Sequence, residues 1–446
     1  MASKRTLNAK NLEPLGAAAL AELLIEVSGG NAVIQRRLRL ALATGEGTEG
    51  VVQEVRKRLT AIDRATTFVD SARRKALVAD LESQFQAIIG PIAAGDPKQA
   101  FDLLRRFLEL SEAVLERCTD STGALIGVFE RAAKQLGPLA QAAKLEPETL
   151  AHHAAELLAE NTFEQFDALV PALKDALGDW GLKLLGSYCR QRGALDGSTQ
   201  LLQIAVARGD VEGYLAQFDA EDLLWRDIAA SVAQHLLVSG RAEQALEILD
   251  GATEDAAGFE DGQWHDSRIA VLEDLNRQAE AQEMRWQWFG RTLSIPHLRD
   301  YLKRLEAFED VEAEDRALQV AEQHPISLLG LHFLVEWPAL ARAARHVLAH
   351  QDEWEGDAYM IHSAAAERLS AAHPLAATLL LRPMVFFAVW MGRANRYRYA
   401  AEHLRTCEQL AGRIDDWQGH PDHSGYLESL HNIYGAKWGF WKLMER

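Results

Sequence analysis

The sequence predicts an all-α protein, an irregular helical-hairpin superhelix (α-solenoid) in two lobes, and three observations carry that reading. Gly95, Gly240, Asn276 and Asn395 are each followed five residues later by alanine, at Ala100, Ala245, Ala281 and Ala400. Gly or Asn ends one helix in the left-handed conformation, and a small residue lets the next helix pack closely, so the recurrence describes stacked antiparallel pairs. Breakers are scarce, with 12 Pro and 31 Gly in 446 residues, which leaves room for long helices. No segment sustains the period-two alternation of a half-buried strand between hairpin turns, so essentially no sheet is expected.

Taken in order, Leu20, Leu23, Leu24 and Val27 have helical spacing, Gly29 and Gly30 end that helix, and Leu38, Leu40 and Leu42 fall in the next. A charged helix from Val51 to about Ala65 and a long one from Phe68 to Ile89 follow. Asp96 is positioned to cap a helix with Pro97 at its first turn, where the missing N–H does no harm. Glu146-Pro147, Trp337-Pro338 and His373-Pro374 read as comparable starts. In the clearest repeat, Ala229, Val232, Ala233 and Leu236 form one face, Gly240 turns the chain, and Ala245, Leu249 and Ala252 answer. That unit resembles the tetratricopeptide pattern, although Ala229 stands where the family prefers an aromatic. Residues 1–215 are expected to form an N-terminal lobe with basic helices, and 216–446 a tetratricopeptide-like C-terminal lobe.

Composition sets the class. Hydrophobic residues make up 48% of the chain and charged ones 25%, which supplies a full core and argues against wholesale disorder. Cys118, Cys189 and Cys407 are too few and too widely spaced for a disulfide framework or a zinc pattern, and the N-terminus lacks the apolar run of a secretory signal, so a cytoplasmic setting is expected. The most apolar stretch, Pro374 to Met391, carries Arg382 and Pro383 at its centre, which favours a buried helix pair over a membrane span. Net charge is −18, but residues 1–106 hold 16 Lys/Arg against 12 Asp/Glu, so the two parts can face different partners.

Four segments carry a second resemblance: Leu12-Glu13-Pro14-Leu15-Gly16, Glu116-Arg117-Cys118 with Asp120-Ser121-Thr122-Gly123, Pro374 to Leu380, and Gly439-Phe440-Trp441. In these the chain resembles an uncharacterised bacterial family of all-helical proteins. The resemblance implies a fold and supplies no catalytic residue. Pro383 departs from the C-terminal motif and argues against an unbroken helix there.

Among residues able to carry chemistry, His346 and His350 are four apart on one helix, but Val347 stands where a metalloprotease helix needs Glu, so a satisfied helix face is the better reading. His420, Asp422, His423 and His431 read as a surface loop, and Asp120 to Gly123 as helix-capping residues. Phosphate-binding glycine loops and general acid–base patterns are missing, and neither a cofactor nor a metal is assigned. Arg36, Arg37 and Arg39, then Arg56, Lys57 and Arg58, then Arg73 and Arg74 recur on consecutive helices and form the candidate polyanion-binding set. As exposed charges, Arg36, Arg37, Arg56 and Arg58 are expected to be replaceable by Gln with little effect on the fold. Nine of eleven Trp residues lie after residue 260, available for packing and for a groove. The function expected is a non-catalytic helical scaffold for an unidentified protein or peptide. The rivals are a nucleic-acid-associated regulator using the basic helices and an enzyme whose site is not recognisable from sequence.

Overall fold

The computed structural model describes residues 7–253 and 262–445, which are all-α apart from one isolated bridge between Val69 and Cys118. Lys4 and Arg5 of the basic N-terminus lie outside the described residues. The chain divides into two compact units, Met1–Arg241 with Gly251–Thr253, and Ala242–Asp250 with Glu254–Arg446. None of the described helices is long and apolar enough to cross a membrane.

In the first unit the longer helices are α1 (Gly16–Ser28), α2 (Ala32–Glu46), α3 (Thr48–Asp63), α4 (Ser71–Ala87), α5 (Pro97–Glu109), α6 (Ile126–Ala142), α7 (Pro147–Ala159), α8 (Leu169–Gln191), α9 (Thr199–Arg208) and α10 (Arg226–Val238). Neighbouring helices pack in pairs, α2 on α3, α5 on α6, α7 on α8 and α8 on α9, and α6 also packs on α8, as stacked hairpins require. Phe85, Phe107 and Phe129 form a continuous row in the core, with ring centroids 6.3 and 5.3 Å apart. Such aromatic pairs add to what their buried area contributes. At Gly137 the helix α6 comes so close to α8 that a Cβ would stand 1.9 Å from the Ala172 carbonyl oxygen, so any side chain there forces the helices apart.

The second unit holds most of α11 (Ala242–Gly251), then α12 (Gly262–Asp274), α13 (Gln278–Thr292), α14 (Ile295–Leu302), α15 (Glu309–Glu322), α16 (Ser327–Glu336), α17 (Leu340–Ala349), α18 (Tyr359–Leu369), α19 (Pro374–Trp390), α20 (Tyr397–Ala411), α21 (His423–Tyr434) and α22 (Trp438–Met444). The three-residue link between α16 and α17 makes them an antiparallel pair, and α19 is clasped by α17, α18 and α20. Phe289, Phe333 and Trp337 run through this core at 5.3 and 5.6 Å.

All four alanines of the recurring motif, Ala100, Ala245, Ala281 and Ala400, are buried, as close packing demands. The preceding residue is left-handed only at Gly240 (φ +73°) and Asn276 (φ +59°). Gly95 instead sits against Thr48, where a Cβ would meet Oγ1 at 2.4 Å, and near Asn395 the left-handed residue is Gly392. The long helix expected from Phe68 begins at Ser71, capped by Asp70, and Pro91 passes through a π-turn at Ile88–Ile92. The helix that Asp120 to Gly123 are read as capping starts at Ile126, and the one after Trp337-Pro338 starts at Leu340. The face of α1 departs most from expectation, since Leu23, Leu24 and Val27 are exposed. Pro383 does not end α19, which runs on to Trp390 because neighbouring helices bury both sides of the residue.

The three cysteines are free and buried. Burial pushes the Cys189 thiol up to about 11 and that of Cys407 to about 12. At the C-terminus, Leu430 and Phe440 are buried against Tyr397 and Leu404, while Trp438 is exposed.

Candidate functional site

A cleft of about 590 Å³ opens in the second unit between the 351–357 segment, α19 and the start of α21. A small residue sets its floor against the helix. Gly356 lies against α19 so closely that a Cβ would be 2.1 Å from the Pro383 carbonyl oxygen and 2.5 Å from the Phe387 Cβ. A second cavity of about 470 Å³, bordered by α18 and α20, shares Gly356 and Phe387 with the first, so the two form neighbouring compartments along α19.

The walls of the cleft are aromatic. Trp354 is buried and fixed by its indole N–H donating to the Val347 carbonyl at 3.0 Å, whereas Phe386 and Trp390 are stacked at 6.3 Å and remain 43% and 53% exposed. One turn of a helix has thus been left with two large rings uncovered. Arg382 forms the back of the cleft and is 6% exposed. Its guanidinium lies over the rings of Trp417 and Tyr426 at 4.9 and 4.5 Å and donates to the carbonyls of Pro421 and Asp422 at 2.9 and 3.2 Å. The Tyr426 hydroxyl donates in turn to the Arg382 carbonyl at 3.1 Å, so this cation holds α21 to α19. Asp352, Glu355 and Asp357 ring the mouth, exposed and without an ion-pair partner among the described residues. The arrangement can receive an apolar group bearing positive charge.

The chain matches the model of a family of unknown function (DUF6880) over residues 2–194 and 188–443. It belongs to that family. No curated protein matches this DUF6880 chain. One solved structure, titled "Circular tandem repeat protein with novel repeat topology and enhanced subunit contact surfaces", aligns with 93% of the DUF6880 chain and 94% of its own, at 14% identity and a TM-score of 0.13, a likeness too slight to carry argument.

In this DUF6880 protein the basic residues singled out from sequence fall into different environments. Arg36 and Arg58 converge on the buried carboxylate of Asp80: Arg36 Nη2 is 2.9 Å and Arg58 Nη2 2.5 Å from Oδ2. Their replacement is therefore not neutral, contrary to the expectation for exposed charges, because it strands a buried acid. Arg73 borders the same small cavity, and so does Arg117, which is not in the candidate polyanion-binding set. Arg37, Arg39, Arg56 and Lys57 are exposed and lie outside it, and Arg74 donates to the Thr119 carbonyl at 2.7 Å. Asp120 is a capping residue, its Oδ2 accepting from the amides of Leu125 and Ile126 at 2.8 and 2.9 Å.

The histidine pair is also absorbed by packing. His346 is buried with Nε2 2.9 Å from the Ser327 carbonyl, and burial lowers its pKa, while His350 Nδ1 is 3.0 Å from Glu353 Oε1. Among the loop residues, Asp422 caps α21 by accepting from the Gly425 amide at 2.7 Å, His431 packs edge-on against Trp441, and His420 borders the cleft. The acidic mouth was missed from sequence, although Asp352, Glu355 and Asp357 flank Trp354 and Gly356 and so announced an acidic, aromatic, sharply turned segment.

Proposed function

We propose that the protein is a non-catalytic helical scaffold that binds a peptide segment of a protein partner in the cleft along α19. The observation supporting this reading is the exposed Phe386–Trp390 pair in a concave site ringed by Asp352, Glu355 and Asp357. Large rings in a partly closed pocket are the usual energetic centre of an interface, while rim charges mainly select and steer the partner. The partner segment is one with an aliphatic or aromatic anchor beside Lys or Arg. Tetratricopeptide-like stacking of helix pairs suits such a role, because it presents one helix face along a continuous surface. A cytoplasmic setting fits, since all three cysteines are free thiols.

A display selection of random peptides on the intact protein tests the reading. Enriched sequences are expected to combine an apolar anchor with basic residues and to lose at least tenfold in affinity on Trp390→Ala, a loss of about 1.4 kcal/mol or more. Peptides that bind equally well to Trp390→Ala and Phe386→Ala would place recognition elsewhere.

A further inference from the structure

We infer that the cavity between α2, α3 and α4 in the first unit is a binding site for a phosphate monoester. This cavity, of about 220 Å³, is lined by four arginines, Arg36, Arg58, Arg73 and Arg117, and by one acidic residue, Asp80. Asp80 is 2% exposed and is engaged by both Arg36 and Arg58. One negative charge thus faces four positive ones, and no other acid borders the cavity.

The two remaining arginines have no carboxylate partner. Arg117 donates weakly to the carbonyls of Thr67 and Ile62, at 3.2 and 3.5 Å, and its Nε is buried with no acceptor. Burial lowers its pKa; the nearby Cys118 opposes that shift, and the neighbouring Arg58 adds to it. The Arg73 backbone amide is bound by the Asp70 cap, but its side chain is exposed and holds no partner among the described residues. Gathering cations in this way costs free energy that an anion would recover.

Shape selects the kind of anion. Guanidinium forks match the geometry of phosphate oxygens, and several converging on one small space favour a compact dianion over an extended backbone of single charges. A cavity of this volume takes one phosphate group, and its apolar border, including Ile62, Val69 and Leu77, suits the carbon portion of an ester rather than a second charge. Arg37, Arg39, Arg56 and Lys57, which lie on the same helices but outside the cavity, serve as internal controls.

The test is calorimetric titration of the full chain with inorganic phosphate, with phenyl phosphate, and with a short oligonucleotide lacking a terminal phosphate. Both monoanion-to-dianion probes are expected to bind, phenyl phosphate more tightly, and the oligonucleotide to bind more weakly than either. Arg73→Gln and Arg117→Gln should each lower phosphate affinity at least tenfold. Arg73→Gln removes no internal contact, so its melting temperature should be unchanged, which separates a binding loss from misfolding. Arg37→Gln with Arg39→Gln should leave binding intact. Absence of phosphate binding by the unmodified chain, or equal losses from the inside and outside arginines, would overturn the assignment. Tighter binding of the oligonucleotide would replace it with a diester-binding surface.

Discussion

His362 shows how much one side chain can set the response of the fold to pH. It is fully buried, packs edge-on against Trp354 at 5.8 Å, and neither ring nitrogen has a hydrogen-bond partner. Burial lowers its pKa to about 4. The folded protein therefore keeps this ring neutral over a range where the unfolded chain takes up a proton. The stability it contributes is fully present above the ordinary histidine value of 6.5 and is lost as pH falls toward 4. The loss approaches 3 kcal/mol in order of magnitude at the acid end. Buried His346 and His403, lowered in the same direction, steepen the decline. Thermal melts of His362→Phe against the parent between pH 7.5 and 4.5 should show the variant gaining relative stability as pH falls. A pH-independent difference would assign the decline to other groups. Replacing an orphaned polar ring by an apolar one of similar shape should itself be tolerated.

At the scale of elements, α22 is held chiefly by Phe440, which is fully buried and meets Tyr397 edge-on at 5.8 Å. Deleting residues 436–446 removes that ring and uncovers Leu404 and Val389, so the melting temperature should fall, with a cost of about 3–5 kcal/mol by analogy with truncating a buried Phe. An unchanged melt of a soluble truncation would show that α22 is an ornament of the fold. The sequence marked this element only through the Gly439-Phe440-Trp441 segment, and of the rings around it Phe440 is buried while Trp438 stays exposed. It also marked the helix starts at Pro97, Pro147 and Pro374, where a residue's own stereochemistry decides the conformation. It did not disclose that Arg36 and Arg58 share Asp80, or that Gly356 touches Pro383, since these contacts join segments far apart in the chain. Arg36 looks the same in sequence as its exposed neighbour Arg37, and only the packing of α2 against α4 distinguishes them.

Across the whole molecule, each unit has a hydrophobic core of its own, and the cysteines are divided between them: Cys118 and Cys189 in the first, Cys407 in the second. All three are buried and free. A thiol must become both exposed and deprotonated before it reacts, and values raised to about 11 and 12 at Cys189 and Cys407 disfavour the reactive form as long as the fold persists. Alkylation followed by mass spectrometry is therefore expected to be slow at Cys189 and Cys407 under native conditions and to accelerate in denaturant. If the units open at different denaturant concentrations, modification of Cys189 and Cys407 will rise at different points; superimposable rises would show that the chain opens as one. The same burial that keeps these sulfurs inert makes them built-in stopwatches, one for each half of the chain, that can be read without adding a label to the protein.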